Sequence, residues 1–223
     1  MSLPLDLPTM RGNDNLPDQL YAILSRAIIE GRFRPGDRIQ PDEIAAHFEV
    51  SKIPVREALR SLEANGWINI RPRRGVYVQE HTAEELSNLY ETRFIMEPQL
   101  ARLAAERRNQ GHLAKIKASM RQSLEALKRE SSMELAESNQ AFHAACAEAA
   151  GNAYAAKIIR DIEVRLQWYY SQVPIERTRQ TLKEHEMILS AIEARDGKGA
   201  EEATLLHLEA TRRTALSRLS EES

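Results

Sequence analysis

Residues 51–67 read Ser-Lys-Ile-Pro-Val-Arg-Glu-Ala-Leu-Arg-Ser-Leu-Glu-Ala-Asn-Gly-Trp, and this stretch decides how the first third of the chain folds. Cations recur every four residues at Lys52, Arg56 and Arg60, so on a helix they share one face. Apolar side chains that can be buried occupy another face: Val55, Leu59 and Leu62. The pattern predicts a helix whose cationic side suits a DNA major groove, where cations neutralise phosphates and arginine pairs with guanine.

The segments on either side of this helix predict two more helices and a hairpin. An apolar helical pattern fills residues 16–31, and Pro41 opens a second short helix. Alternating residues at 67–71 and 76–79 predict two strands around a glycine turn. Three helices followed by a hairpin make a winged helix-turn-helix, which we expect over residues 16–79.

Beyond residue 82 the strand signals vanish, and the pattern predicts helices at 83–109, 112–129, 132–150, 153–171, 176–195 and 199–219. Helices of this length fit an antiparallel bundle. The predicted fold is therefore mainly α, an N-terminal winged helix-turn-helix plus a C-terminal all-α bundle over residues 82–220. Residues 1–15 have little periodicity and are expected to form a flexible N-terminal arm.

Length and composition exclude several classes of protein. At 223 residues, with 42% hydrophobic and 29% charged residues, the chain is large enough for two soluble domains. No apolar run approaches the ~18 residues of a membrane span, and the N-terminus lacks signal-peptide features, so we expect a cytoplasmic protein without a membrane partner. A single cysteine, Cys146, excludes an internal disulfide and a multi-cysteine zinc site.

Positive charge is concentrated in one region of the chain. The formal net charge is −2, yet residues 51–75 contain 6 Lys and Arg against 2 Asp and Glu. Because clustering rather than total charge sets the local field, this segment is the predicted nucleic-acid face. The predicted wing adds Arg71, Arg73 and Arg74, which can reach a phosphate backbone or a minor groove.

Several motifs lie together in the first part of the chain: Gly31-Arg-Phe-Arg-Pro-Gly-Asp37, Glu43-Ile-Ala45, Val50-Ser-Lys-Ile-Pro-Val-Arg-Glu-Ala-Leu-Arg-Ser-Leu62, Gly66 and Gly75-Val-Tyr-Val78. This set, which runs through nearly all of residues 16–78, resembles the GntR-type winged-helix regulators. One departure is Lys52, where these regulators more often carry arginine, because lysine keeps the charge but loses the bidentate fork. The resemblance implies these DNA-contacting residues: Arg32, Lys52, Arg56, Arg60, Arg71, Arg73, Arg74 and Gly75.

A second set of motifs spans about residues 83–219: Leu89-Tyr-Glu-Thr-Arg-Phe-Ile-Met-Glu97, Asn139-Gln-Ala-Phe-His143, Gly151-Asn152, Glu184-His185 and His207. This set resembles the FCD ligand-binding bundle of the FadR subfamily of the same family. The resemblance implies a homodimeric transcriptional regulator, more commonly a repressor, that binds a pseudo-palindromic operator. It also implies that a small organic acid, bound in the effector-binding and dimerisation bundle, changes the affinity for DNA.

Three histidines are candidates for a metal site in this bundle. His143, His185 and His207 fall on three predicted helices, and Asn139 shares a helix face with His143. From the residues alone, separate surface or core histidines remain an alternative to three converging imidazoles. The resemblance implies a divalent metal, with Asn139 standing where aspartate is typical, so weaker metal binding is expected. Zinc, nickel and manganese all remain open.

Arg93 lies in an apolar part of the first bundle helix and has two interpretations. It is either a bidentate clamp for an effector carboxylate or an ion-pair partner of Glu97 four residues on. The resemblance favours the effector clamp.

Two further functions compete with a ligand-responsive regulator. Three histidines with an open position also suit a catalytic metal, which would make the chain a metal-dependent enzyme with a DNA-targeting module. The sequence lacks a His-Glu-x-x-His helix, a Gly-x-Ser-x-Gly elbow and a Gly-rich phosphate loop, so we predict that it is not an enzyme. The other competitor is a constitutive DNA-binding protein with an inert dimerisation bundle, which metabolite-independent operator binding would favour.

Overall fold

The computed structural model describes residue 7 and residues 15–80, 82–171 and 174–221. Internal contacts divide the chain into two compact units, Met1–His81 and Thr82–Ser223, and each unit is described by itself. The predicted flexible arm, residues 1–15, falls almost entirely outside the described residues.

The first unit contains helices and strands in the order of a winged helix-turn-helix. Its elements are α1 (Leu16–Ile29), β1 (Arg38–Ile39), α2 (Pro41–His47), α3 (Lys52–Ala64), β2 (Ile68–Arg71) and β3 (Gly75–Val78). The predicted winged helix-turn-helix is thus confirmed. Strand β1 was not predicted, because two residues carry too little alternation to be recognised in a sequence.

Local backbone chemistry sets the ends of α3, the predicted recognition helix. Ser51 occupies the N-cap, although its side chain makes no capping hydrogen bond. Asn65 is the C-cap, and Gly66 follows it with φ +77°, a left-handed conformation that glycine adopts at little cost. The buried residues of α3 face α1: Val55, Ala58, Leu59 and Leu62. The opposite face of α3 is therefore left to solvent.

The wing is an antiparallel sheet with the strand order β1-β3-β2. Arg71 pairs with Gly75 at the end of the β2–β3 hairpin. In the turn, Arg73 has φ +61° and the Arg74 N–H donates to the Arg71 carbonyl at 3.0 Å. Val76 is buried on the inner side of β3, so the hairpin is anchored to the helices while its tip projects into solvent.

The second unit is the predicted helical bundle. Its helices are α4 (Ala83–Arg107), α5 (Gln110–Lys128), α6 (Ser132–Ala149), α7 (Ala153–Ser171), α8 (Ile175–Glu193) and α9 (Gly197–Glu221). Each end lies within two residues of its predicted position, because caps are local signals. The Glu85 N–H, for example, donates to the Thr82 side chain at 3.0 Å, and the His112 N–H to the Asn109 side chain at 2.8 Å.

Small side chains form much of the bundle core and let the helices approach closely. Helix α4 packs on α9, α5 on α6, α6 on α7, and α8 on α9. Alanines surround a few larger residues, among them Ile116, Phe142 and Ile192. Cys146 lies in the same cluster, and burial raises the pKa of its thiol, which indicates a packing role. Within the described ranges, no helix combines the length and apolar character needed to cross a membrane.

Candidate functional site

The solvent face of α3 displays the predicted recognition cations. Lys52, Arg56 and Arg60 are all exposed. The Lys52 Nζ lies 2.9 Å from Asp42 Oδ1, whereas Arg56 and Arg60 make no ion pair with any other described residue. Because an exposed ion pair is worth only about 0–1 kcal/mol, a phosphate can displace Asp42 from Lys52.

The wing carries its three predicted cations on exposed positions. Arg71 ends β2, and its guanidinium lies 4.9 Å from the centre of the Tyr77 ring, a cation–π contact that orients the side chain. Arg73 and Arg74 occupy the turn itself. This geometry places two cations at the tip and one at its base.

Two other predicted contact residues have structural partners. Arg32 Nε lies 2.8 Å from Glu30 Oε2. Gly75 has φ +124°, a conformation that favours glycine, and a Cβ added there would lie 2.9 Å from Arg38 Nε, so the end of the Arg38 side chain would have to shift. Arg38 is an exposed cation on β1. It was not among the predicted DNA-contacting residues, because strand β1 was not predicted. The DNA-contacting roles of all these residues stay predictions.

In the bundle, three helices bring His143, His185 and His207 together. The side chains come from α6, α8 and α9, and all are buried, with 1–4% of their surface exposed. One potential ligand atom from each lies within 4.8 Å of the others. The structure therefore contains the convergence of imidazoles that the sequence left as one of two alternatives.

Two of these histidines are oriented by glutamates. His143 Nδ1 lies 2.8 Å from Glu97 Oε2, and His207 Nδ1 lies 2.9 Å from Glu184 Oε2. A carboxylate that accepts the Nδ1 proton leaves Nε2 with a free lone pair. The two Nε2 atoms face each other at 3.3 Å. In this tautomer both Nε2 lone pairs face the same point, and a cationic donor already lies close to one of them, because Arg93 Nη2 is 3.2 Å from His143 Nε2.

His185 lacks hydrogen-bond partners. Among the described residues, neither of its ring nitrogens finds one, and its ring stacks on Phe142 with centroids 3.9 Å apart. An unpaired buried polar atom costs about 1–3 kcal/mol, which a bound ligand would offset. Burial, together with His207 and His143, lowers the pKa of His185 well below its ordinary value, so the ring is neutral and offers a lone pair.

The donor set fits a divalent transition metal. Burial, with His143 and Arg93 adding to it, also lowers the pKa of His207, which keeps that ring neutral. Neutral imidazoles held by carboxylates are common ligands of zinc and nickel, and an added oxygen ligand is compatible with manganese. Asn139 lies one turn before His143, and its buried Nδ2 has no hydrogen-bond partner in the described ranges. Metal binding by these four residues remains a prediction.

Arg93, the predicted effector clamp, is fully buried and paired inside the protein. Its guanidinium donates to Glu97, which is the ion pair weighed as an alternative from the sequence, and to the Tyr170 hydroxyl. A second carboxylate is also close, with Glu163 Oε1 3.0 Å from Arg93 Nη2. The same Arg93 Nη2 lies 3.2 Å from His143 Nε2. The effector role of Arg93 stays a prediction.

The two carboxylates around Arg93 differ in charge state. Burial alone would raise the pKa of Glu97, but the charge of Arg93 and the hydrogen bonds from His143 and Arg93 outweigh it and lower that pKa. At Glu163 burial prevails over Arg93 and raises the pKa, despite the short Arg93–Glu163 distance. Glu97 is therefore the group that carries the compensating negative charge.

A cavity lies about one helical turn from the histidine cluster, with about 420 Å³ not filled by protein atoms and part of it open to solvent, and none of the three histidines lines it. Its walls are Leu135, Ala136, Asn139, Tyr170, Arg177, Thr178, Thr181, Thr211 and Thr214. Thr181 precedes His185 by one turn and Thr211 follows His207 by one turn, so these walls lie beside the imidazoles.

Sequence reasoning assigned no role to several residues around the cluster: Glu163, Tyr170, Arg177 and Glu184. A signal was present for two of them, because Arg177 and Glu184 are seven residues apart on the helix that carries His185. Seven residues are two helical turns, so both side chains share one face. Tyr170 belongs to an aromatic run, Trp168–Tyr170, that could line a pocket but was interpreted as core or interface, whereas no signal existed for Glu163, which reaches Arg93 from another helix.

The chain combines a winged helix that has a cationic recognition face with a helical bundle that contains a buried histidine cluster. This combination is typical of a DNA-binding transcription regulator. The chain belongs to the GntR family of bacterial regulatory proteins, in the type that carries an FCD domain. Residues 16–78 match the gntR family and residues 88–210 match the FCD domain.

Similar proteins match most of the length of this chain. The transcriptional repressor RspR of Escherichia coli is 30% identical over 193 residues, which are 86% of this chain and 85% of RspR. The regulator LutR of Bacillus subtilis is 30% identical over 209 residues, covering 81% and 92%. The solved structure of E. coli McbR/YncC has a TM-score of 0.76 at 20% identity, covering 94% and 100%, and supports the fold.

Proposed function

We propose that this chain is a ligand-responsive repressor that acts in the cytoplasm as a homodimer on a pseudo-palindromic operator. Its bundle binds a small carboxylate beside a divalent metal held by His143, His185 and His207, with Asn139 as a weak fourth ligand. The observation that carries the proposal is the buried His185 ring, whose two nitrogens lack partners among the described residues in the middle of a site with two other imidazoles.

The DNA-binding part of the proposal uses the exposed cations. One α3 enters each major-groove half-site, where Arg56 and Arg60 contact base edges or phosphates, and the wing cations hold the neighbouring backbone. Lys52 exchanges Asp42 for a phosphate. Two copies related by two-fold symmetry match a palindrome, because each half-site then receives the same surface.

The regulatory part couples the bundle to DNA affinity. A bound divalent ion supplies a Lewis-acid position for one carboxylate oxygen. The chain contributes three imidazoles, two of them held by Glu97 and Glu184, and a nearby cavity whose walls include several threonine hydroxyls. An acid bound here stabilises the arrangement of helices that surrounds it, and a coupling of ~1–3 kcal/mol to DNA affinity is typical of allosteric proteins. Release from the operator is the expected direction, as the repressor name of the relative RspR suggests.

The experiment that tests this function begins with selection of binding sites from a random duplex DNA library by the full chain. The selected site is labelled and titrated with zinc-loaded protein by fluorescence anisotropy, with and without a panel of small carboxylates. We expect a two-fold symmetric site and at least one acid that weakens binding about 5–150-fold. Selected sites without symmetry would contradict the dimeric mode, and affinity unchanged by every acid would contradict the regulation.

The same titration separates the competing functions. A constitutive DNA-binding protein would show tight binding that no acid alters. A metal-dependent enzyme would consume one of the acids, which chromatography of the titration mixture would detect. The similar proteins are named as transcription regulators, which favours regulation over catalysis.

A further inference from the structure

We propose that Arg177, on α8, is the residue that holds the effector carboxylate, and that Glu184 ties it to the histidine cluster. The inference rests on the proposed function and gives that function a binding residue and a ligand class. Its basis is the cavity beside the histidines, because Arg177 lies in the cavity wall and Arg93 does not.

The hydrogen bonds of Arg177 leave it able to accept a ligand. Its Nε donates to Thr214 Oγ1 at 3.2 Å, Nη1 to Thr181 Oγ1 at 3.0 Å and Nη2 to Glu184 Oε2 at 3.1 Å. A guanidinium has five N–H donors, so each terminal nitrogen keeps one hydrogen without a partner among the described residues. Its side chain is 16% exposed, so a ligand can reach these hydrogens.

Arg93 is less suited to this role. It has no exposed surface and donates to Glu97 and Tyr170, while its Nη2 lies 3.2 Å from His143 Nε2 and 3.0 Å from Glu163 Oε1. An effector carboxylate could take Arg93 only by displacing a glutamate that is itself buried. That glutamate would then lose its cation inside the protein, which is strongly unfavourable. Arg177 instead shares a single carboxylate, Glu184, that is 12% exposed.

The remaining walls of the cavity select a hydroxyl group on the ligand. The hydroxyls of Thr178, Thr181, Thr211 and Thr214 donate to main-chain carbonyls of their own helices. Thr181 and Thr214 already accept from Arg177. Thr178 and Thr211 are therefore the residues whose lone pairs can accept a hydrogen bond from a ligand hydroxyl. Asn139 adds a buried Nδ2 donor that has no partner in the described part of the chain. These groups together fit a small hydroxycarboxylate.

Glu184 connects the cavity to the histidines through one atom. Its Oε2 accepts from Arg177 Nη2 at 3.1 Å and lies 2.9 Å from His207 Nδ1. Glu184 is thus a positioning residue that fixes the arginine and the imidazole together. Loss of Arg177 leaves the Glu184–His207 contact in place, so the variant should keep its metal while losing the acid.

The test uses the full-length protein loaded with zinc and isothermal titration with L-lactate, propionate and lactamide. Propionate lacks the hydroxyl of lactate, and lactamide lacks its charge. The variants are Arg177→Ala, Arg177→Lys and, as a matched control, Arg179→Ala, an exposed arginine two residues away on the same helix. Glu184→Gln is added to probe the positioning role. Metal content and thermal unfolding are measured for every variant.

We expect lactate to bind the wild-type protein and Arg179→Ala equally. Arg177→Ala should bind it about 100-fold more weakly, since two charge-assisted hydrogen bonds are lost, and Arg177→Lys about tenfold. Propionate and lactamide should each bind the wild-type protein at least about tenfold more weakly than lactate. Zinc content should be unchanged in Arg177→Ala, whereas Glu184→Gln should lower zinc affinity about 10–100-fold.

The outcomes separate this inference from the function on which it rests. Lactate affinity that is equal in the wild type and Arg177→Ala would overturn the role of Arg177 and leave the regulatory function standing. Loss of zinc together with lactate in Arg177→Ala would show that Arg177 only supports Glu184, and would also overturn the inference. If neither lactate nor its analogues bind the zinc-loaded wild-type protein, the inference fails, whereas the proposed function fails only if no acid of the wider panel changes operator binding.

Discussion

Replacing Arg93 by methionine is expected to lower the free energy of unfolding of the bundle by about 3–5 kcal/mol. Arg93 has no exposed surface and is the cation that faces two buried carboxylates, Glu97 and Glu163. Methionine fills much of the volume but leaves the ionised Glu97 without its principal counter-charge. The cost of an uncompensated buried charge, rather than lost packing, is the expected cause.

Urea unfolding followed by tryptophan fluorescence measures this effect. The chain has two tryptophans, Trp67 and Trp168, so a Trp67→Phe background leaves Trp168 as a reporter of the bundle. EDTA in all samples removes any contribution of bound metal. The substitution is made as Arg93→Met alone and together with Glu97→Gln, which should recover part of the loss by removing the unpaired charge.

The matched control is Arg102→Met on the same helix. Arg102 pairs with Glu106 at the same i,i+4 spacing, but both side chains are about half exposed. An exposed pair contributes only about 0–1 kcal/mol, so this variant should unfold almost as the parent protein does. Equal losses for Arg93→Met and Arg102→Met would contradict the view that the Arg93 cluster is a buried ionic network.

Arg56→Ala is expected to weaken operator binding on the order of 100-fold, because the proposed dimer would lose the same proposed groove contact in both half-sites. Arg56 is exposed in the middle of α3, and no described residue forms an ion pair with it. Truncation to alanine should leave the fold intact, because the buried face of α3 is unchanged. Fluorescence anisotropy with the selected operator, at a fixed salt concentration, measures the loss.

Arg121→Ala, which removes an exposed arginine from α5 of the bundle, is the control for a change of net charge. It should bind the operator as the wild-type protein does. A base contact also predicts that Arg56→Ala tolerates substitutions at one position of each half-site that the wild-type protein rejects. Wild-type affinity of Arg56→Ala would exclude Arg56 from the DNA interface.

The helices could be predicted from the sequence because their signals are local. The ends of α4 through α9 follow from caps and apolar spacing, and Gly66 marks the end of α3 by its left-handed backbone. Strand β1 could not be predicted, since its two residues are strands only by pairing with β3. The wing was recognised from the hairpin of β2 and β3, whose alternation is visible within a few residues.

The candidate site could be predicted only in part. His143, His185 and His207 were named through a family resemblance, since spacing along the chain does not reveal how helices rotate against each other. For the same reason the sequence did not predict that Glu163, on α7, lies next to Arg93. Nor could the sequence distinguish Arg93, which faces two internal carboxylates, from Arg177, which faces the cavity. Side-chain direction in a bundle is set by packing between helices, which no single helix encodes.

Metal content, measured by elemental mass spectrometry on untagged and undialysed protein, tests the central claim most directly. The wild-type protein is compared with His185→Ala and with His47→Ala, an exposed histidine of the winged helix that serves as the control. We predict about one zinc, nickel or manganese ion per chain in the wild type and in His47→Ala, and its loss in His185→Ala. A wild-type protein without stoichiometric metal, or a His185→Ala variant that retains it, would contradict the three-histidine site.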